Sequence, residues 1–389
     1  MKPAKQGTVK LAHNGKSGSF WQSGRMDITF FALVCILLTS GLLMLFSSSY
    51  AYALAYFNNS YHFITKQLIF AVGGFLLMLL VSKINYRIYR KFAWVIYFLS
   101  LAMLALLLIL PPMVPGATQK RWMVIGPISF QPSEIAKFSV ILLLSHLISK
   151  NYKAMPTFKF GVLTLGGLLG IVCALVVVET HLSATILIFI IGIVLMIVGG
   201  MKGRYILGGV GVGVGAAAIA VVSGVVSYAS DRFAYWLNPW ADAKGKGYQT
   251  IQSLLAIGSG GVLGRGFGQS RQKYLWVPEP HNDFIFAIVC EELGVIGAMM
   301  VIILFCALVW RGFVIAMRAP DKFGALMAVG LTFQVGLQAV LNILVVTNTI
   351  PNTGISLPFF SYGGTALVLL LVQMGIVLSV SRESTLEKQ

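Results

Sequence analysis

The sequence predicts an all-α, polytopic membrane protein with about ten transmembrane helices. Three observations carry this. The chain is 57% hydrophobic and only 11% charged over 389 residues, where a soluble domain carries about 25% charged residues. Its apolar residues gather in runs close to the roughly 20 residues that a helix needs to cross a bilayer. Those runs do not alternate polar with apolar, which excludes barrel strands and leaves helices as the spanning element.

Residues 1–26 are basic, rich in Gly and Ser, and without periodicity. They read as a disordered cytoplasmic tail, and no small-residue cleavage site follows them. Apolar runs then fall at about 27–49, 62–82, 92–111, 133–149, 160–178, 182–200, 205–228, 283–310, 323–346 and 362–380. Pro111-Pro112 ends the third run, and Pro132 in the first turn starts the fourth. The ten-helix domain is thus expected over 27–381, with a large extracytoplasmic loop at 229–281 and a second cytoplasmic tail at 382–389. Within the loop, 251–264 is moderately apolar yet interrupted, which suits a half-inserted or interfacial element.

The net charge of +17 invites a nucleic-acid reading, and its distribution argues against one. Of 29 Lys and Arg, 19 lie in the two tails and in the short loops 83–91, 150–159, 202–204 and 311–322. Ten spans place all of these on one side, which the positive-inside rule makes cytoplasmic. Both termini are therefore expected in the cytoplasm, and no nucleic-acid partner is expected. The other ten cations, Lys66, Lys120, Arg121, Lys137, Arg232 and Lys273 among them, fall on the outer side. Either loop size or an anionic ligand accounts for them. Cys35, Cys173, Cys290 and Cys306 sit inside apolar runs without CxxC or metal-ligand spacing, so neither a disulfide framework nor a metal site is implied.

Acids are scarce, with twelve Asp and Glu in the chain. An acid at a membrane seam is therefore a candidate functional group. Asp283 stands at such a seam, where Trp276-Val277-Pro278-Glu279-Pro280-His281-Asn282-Asp283 gives way to Phe284-Ile285-Phe286. Partial desolvation there raises a carboxyl pKa and its basicity. Asp is also a favoured helix N-cap, and spacing alone leaves cap and base open. Glu291 and Glu292 lie about 12–13 Å deeper at 1.5 Å per residue, too far to share a reacting atom with Asp283. They are expected to satisfy partners inside the bundle.

Four further features face the outer side. Glu134 and Lys137 are three residues apart on one helix face, beside Gln131 and Ser133, and form either a structural ion pair or, with Arg121, a cationic pocket. Glu179-Thr180-His181 is a tight polar turn, compatible with proton chemistry or with a chance His neighbour. The Gly-rich stretch from Gly258 to Gln269, followed by Arg271 and Lys273, lacks GxxxxGK[ST] and does not read as a nucleotide P-loop. Its backbone amides and cations can nevertheless cradle phosphate. Pro351 to Thr365 is a Pro- and Gly-rich segment, which is tolerated at membrane depth where it is buried or lines a cavity.

Taken together and in order, several motifs resemble the SEDS family (shape, elongation, division and sporulation). They are Lys120-Arg121-Trp122, Phe130-Gln131-Pro132-Ser133-Glu134 with Lys137, Asn238-Pro239-Trp240, and Gly247-Tyr248-Gln249 with Gln252-Ser253. Ala256-Ile257-Gly258-Ser259-Gly260-Gly261, Pro278-Glu279 with His281 and Asp283-Phe284-Ile285-Phe286-Ala287, and Leu357-Pro358-Phe359 with Ser361-Tyr362-Gly363-Gly364 complete the set. The resemblance covers nearly the whole chain after the first tail and leans toward the family's division and sporulation members. Thr180, Asn282, Asn348 and Asn352 depart from the family's usual residues.

The resemblance implies a peptidoglycan glycosyltransferase in a bacterial cytoplasmic membrane. Such an enzyme polymerises lipid II at the outer face, beside a class B penicillin-binding protein (transpeptidase) and other divisome or elongasome membrane proteins. Asp283 would be the catalytic carboxylate, acting as general base in an inverting transfer that releases undecaprenyl pyrophosphate. Arg121, Gln131, Ser133, Glu134, Lys137, Arg271, Lys273, His281 and Ser361 would bind substrate. A divalent cation, Mg2+ or Mn2+, is compatible with a pyrophosphate leaving group. The competing readings are a lipid II flippase and a non-catalytic scaffold of the wall-synthesis complex.

Overall fold

The structure is a computed structural model and describes residues 20–22, 24–111, 113, 121–126, 128–222, 232, 234–245 and 247–383. Every predicted span has its helix. They are α1 (Ile28–Phe57), α2 (His62–Lys83), α3 (Tyr89–Ile109), α4 (Pro132–Lys150) and α5 (Phe158–Val178), whose first nine residues are π-helical. After these come α6 (Leu182–Val198), α7 (Gly203–Val222), α9 (Ile285–Met317), α10 (Lys322–Val346) and α11 (Gly364–Arg382). One short helix, α8 (Tyr248–Gly260), lies within the loop predicted at 229–281. Positions 229–231, 233 and 246 of that region, 223–228 before it, and Lys120 lie outside the described residues. A hairpin of β1 (Met123–Ile125) and β2 (Ile128–Phe130) precedes α4.

Lipid and core are both apolar, so burial rather than polarity distinguishes the faces of each helix. On α2, Leu68, Ile69, Val72, Leu76 and Leu80 are exposed, as a lipid-facing surface is. α4 is buried on nearly every side, polar residues included. α11 packs along α2, and α10 lies against both α9 and α4. One close approach depends on glycine: a Cβ at Gly375 of α11 would meet the Met78 carbonyl of α2 at 2.7 Å.

The tail predicted over 1–26 needs correction where the structure describes it. Trp21 bridges to Ile84, Gln22 N–H donates to the Lys83 carbonyl at 2.8 Å, and the Gln22 side chain donates to Glu383 at 3.0 Å. Backbone pairing and these side-chain bonds order that stretch. Residues 1–19 and 384–389 lie outside the described residues. Asp27 caps α1 by accepting from Phe30 N–H and pairs with Arg311 at 2.7 Å, tying α1 to α9.

The predicted eighth span is two helical pieces. At Gly294 the backbone leaves the helix with φ 67° and ψ −168°. A side chain is impossible there, since a Cβ would lie 2.3 Å from Gly264 N. Across this break the chain pairs with the end of α8. Arg265 and Gly266 N–H donate to the Glu291 and Glu292 carbonyls, and Val295 N–H donates to the Gly261 carbonyl. α8 is thereby held in the bundle, its Ser253 hydroxyl donating to the Val346 carbonyl at 2.8 Å.

Glu291 and Glu292 are fully buried, and the loop 268–273 folds around them. Glu291 accepts from the N–H groups of Arg271 and Gln272 and from the Ser270 hydroxyl. Glu292 accepts from Gly268 N–H, from Ser270 N–H and from Ser47 of α1, and pairs with Lys273 at 2.9 Å. Removing one partner of such a buried pair costs about 3–5 kcal/mol. Glu292→Ala and Lys273→Ala are each expected to lose that much stability, read as the midpoint of chemical unfolding in detergent micelles. An unchanged midpoint would contradict this.

Candidate active site

Asp283 is carried by a turn rather than by the helix that follows. Asn282 N–H donates to the Glu279 carbonyl at 3.0 Å, and the Asn282 side chain donates to the Glu279 carboxylate at 2.8 Å. Three successive carbonyls are then clamped. His281 O accepts from Tyr362 N–H at 2.9 Å, Asn282 O from the Ser361 hydroxyl at 2.8 Å, and Asp283 O from Asn342 Nδ2 at 2.7 Å. The Pro- and Gly-rich segment 351–365 therefore holds the turn from one side and α10 from another.

The carboxylate of Asp283 does not cap a helix. The N-cap of α9 is Phe284, with no side-chain cap bond. Among the described residues no hydrogen bond or ion pair takes this carboxylate. Its nearest backbone neighbour is Gly354, where a Cβ would lie 3.2 Å from Oδ2. Burial, then the nearby Glu279, pushes its pKa up from 3.8 to about 6, against the opposing pull of Arg232 and Arg121.

Asp283 opens onto a cavity of ≈ 600 Å³, within the roughly 300–1,000 Å³ of pockets that hold a small molecule. Its wall includes Lys66 and Phe70 of α2, Arg121, Trp122, Gln131, Glu134, His181, Glu279, Asn282 and Ser361. Gln334, Gln338 and Gln373 line it further down. Arg121 donates to the Thr180 carbonyl, at a residue with φ 58°. Glu179 beside it is buried, and desolvation raises its pKa to about 8 although Arg121 opposes the shift. Burial, helped by Arg121, Lys137 and Arg232, keeps His181 neutral with a pKa near 3, and its ring meets Gln131 and Ser133 at 3.3–3.4 Å.

Of the residues singled out in the sequence, Asp283, Arg121, Gln131, Glu134 and Ser361 all reach this cavity. Lys137 lies behind its wall, paired with Glu134 at 2.7 Å and only 1% exposed. Ser133 also lies behind it, against His181. His281 sits instead in an aromatic cage of Tyr52, Phe63 and Tyr362, where burial lowers its pKa to about 4. The structure does not bring Arg271 and Lys273 to the cavity. Arg271 is exposed, and the Lys273 ammonium is spent on Glu292, Ser47 and the Gly268 carbonyl. Their place beside Asp283 goes to Arg232, which donates to the Asn352 carbonyl at 2.7 Å, and Asn352 in turn accepts from Gly354 N–H. Lys66 and Arg232 were marked in the sequence only as outer-side cations, and the glutamines further down were not marked at all. Gln334, Gln338 and Asn342 recur every four residues through an apolar helix, a polar stripe that could have marked them.

The chain matches the FtsW/RodA/SpoVE family model, described as cell cycle protein, over residues 27–386. This is a SEDS-family chain. It is 36% identical over 364 residues to stage V sporulation protein E of Bacillus subtilis, covering 92% of this chain and 97% of that one. It is 35% identical over 359 residues to a probable peptidoglycan glycosyltransferase FtsW of Geobacter metallireducens, covering 92% and 95%. Among solved structures, a chain from a peptidoglycan synthase complex, solved for its coordination of polymerisation and crosslinking, superposes with a TM-score of 0.75 at 29% identity over 93% of this chain and 99% of that one. The rod shape determining protein RodA of Thermus thermophilus gives a TM-score of 0.68 at 26% identity over 92% and 98%. The chain is thus a multi-pass membrane protein of the SEDS family.

Gly354 has φ +69° and faces Oδ2 of Asp283. Gly354→Ala places a methyl in a left-handed backbone, costing about 1–2 kcal/mol, and crowds the carboxylate. A lowered unfolding temperature together with reduced function at Asp283 is expected. A variant as stable and as active as the parent would count against this placement. Because the folded-state pKa of Asp283 lies above its unfolded value, the ionised carboxylate destabilises the fold as pH rises from about 4 through about 6. Asp283→Asn is accordingly expected to raise stability at pH 7.5 by about 1–3 kcal/mol, read by thermal unfolding at that pH. Equal unfolding temperatures at pH 7.5 would refute it.

Proposed function

We propose that the chain is an inverting peptidoglycan glycosyltransferase that polymerises lipid II at the outer face of the bacterial cytoplasmic membrane, in division or sporulation. The observation that carries this is Asp283: a carboxylate with a pKa near 6, without a cap bond or ion pair among the described residues, opening onto a small-molecule-sized cavity. A base poised near the working pH is what proton abstraction from a sugar hydroxyl needs. The names of the relatives in sporulation and division support the substrate class.

In this reading Asp283 takes the proton of the acceptor 4-hydroxyl as that oxygen bonds the donor anomeric carbon. The bond from that carbon to the pyrophosphate oxygen breaks, and its electron pair leaves with undecaprenyl pyrophosphate. Inversion follows from attack opposite the leaving group. Arg121 and Arg232, whose charges reach Asp283 from two elements, supply the positive field for the departing phosphates. Gln131, Glu134, Lys137 and Ser361 shape the pocket around them. Among the described residues no group of three or more His, Cys, Asp and Glu could hold a metal ion. A divalent cation is usually held by one or two carboxylates together with substrate phosphates, and Asp283, Glu279 and Glu134 are the carboxylates at the cavity wall that would hold one.

A class B penicillin-binding protein is the partner this reading assigns, supported by the likeness to a chain of a synthase complex that couples polymerisation to crosslinking. The flippase reading needs a path through the membrane, whereas the cavity lining goes no deeper than Gln334 and Gln373. A scaffold would leave Asp283 without a task.

The test is polymerisation of purified lipid II by the purified protein, with and without its transpeptidase. Asp283→Asn is expected to lose activity by at least about 100-fold while remaining folded, and the parent's rate should fall as pH drops through about 6. Full glycan synthesis by Asp283→Asn would overturn the assignment.

A further inference from the structure

The inner end of the cavity is unlike its mouth. Gln373 lies nine residues into α11 from Gly364, and Gln334 lies twelve residues back from Val346 at the end of α10. At 1.5 Å per residue Gln373 is about 13 Å from the start of α11, and Gln334, eight residues from the Asn342 that holds the Asp283 carbonyl, is about 12 Å below it, near the middle of a bilayer. Yet both are polar, 3% and 1% exposed, and both line the cavity. Gln334 Nε2 donates to Gln373 Oε1 at 3.2 Å, which leaves Gln334 Oε1 buried without a hydrogen-bond partner among the described residues. Above them Gln338 is engaged by Ser356 and by Lys137, and Lys137 by Glu134. Apolar side chains line the cavity as well: Phe70 of α2, and Leu367 and Leu370 of α11.

A buried acceptor without a partner is costly unless something donates to it. A prenyl chain cannot, and one lying here would seal the Gln334 oxygen in hydrocarbon. A charged phosphate is also a poor fit, because the cations sit nearer the mouth and the orphan atom is itself an acceptor. What fits is an uncharged group with O–H or N–H donors along one edge and an apolar face on the other. That is the pattern of an N-acetylamino sugar ring.

We infer that Gln334 and Gln373 form an inner subsite for an uncharged saccharide part of the substrate head, and that the lipid chain is excluded from it. This rests on the glycosyltransferase reading for the identity of the saccharide. With its amide turned toward the cavity, Gln334 accepts through Oε1 from a sugar hydroxyl or acetamido N–H, and the apolar face of the ring lies on Phe70 and Leu370. The subsite orients the sugar below the base without touching the reacting atoms.

The experiment measures binding to the full chain in lipid nanodiscs with two probes. One is the soluble N-acetylglucosaminyl-N-acetylmuramyl peptide without lipid, and the other is undecaprenyl phosphate without sugar. Gln334→Leu is expected to weaken the saccharide probe roughly tenfold and leave undecaprenyl phosphate unchanged or tighter. The double variant Gln334→Met with Gln373→Met removes both partners together, so it keeps the core filled without a stranded amide, and it is expected to give the same pattern. Unchanged saccharide affinity in both variants means that the inner end holds only water and overturns the inference. Weakened undecaprenyl phosphate binding means a lipid-chain site and overturns it equally. Because binding needs no turnover, the two readings fail separately. A parent that makes no glycan from lipid II but loses saccharide affinity on Gln334→Leu refutes the polymerase and upholds the subsite.

Discussion

Two adjacent carboxylates inside a membrane helix are the constraint from which much of the rest follows. Glu291 and Glu292 cannot stay ionised in an apolar bundle without donors, and α9 has none to spare. The chain answers by folding the loop 268–273 back onto them, so that backbone N–H groups, two Ser hydroxyls and Lys273 converge on four oxygens. That loop has to enter the bundle to reach them. The break at Gly294 and the close approach of Gly264 let it pass, and α8 is drawn in as the leading arm. Phosphate-like recognition by amides and a lysine is present here, but the anions recognised are the protein's own.

The Asp283 turn leads into the same helix, about two turns before that network. Its rigidity comes from backbone rather than side chain, since three consecutive carbonyls are each taken by a different donor. With its backbone held, the carboxylate needs no bond of its own and remains available. The same economy explains the stored instability at this position: an ionised, partly buried carboxylate without a partner is tolerated because its surroundings over-determine its place.

The cavity then divides into zones by charge. Cations and Asp283 occupy the mouth, the Glu134–Lys137 pair and Gln338 the middle, and the Gln334–Gln373 amides the inner end. The grading suits a substrate whose charged group stays at the membrane surface while a neutral, hydrogen-bonding part reaches inward. It does not suit a hydrocarbon chain in the same space, which finds apolar surface on the outside of helices such as α2.

The apolar spans, their order and the candidate base are legible in the chain before it folds. These follow from local information: apolar run length, Pro and Gly punctuation, and an acid at a seam. The pairing of Glu134 with Lys137 was legible for the same reason, because three residues apart is one helix face. Which outer cations meet Asp283 is set by folding. Arg271 and Lys273 lie nearest to it in sequence, yet the loop turns Lys273 inward to satisfy Glu292, while Arg232, some fifty residues away, reaches Asp283 through Asn352 and Gly354. Likewise the glutamines of α10 and α11 become a site only when two helices face each other. Charge identity is written in the chain, but the donor that an anion receives is settled by competition among all buried groups, and that competition exists only in the folded state.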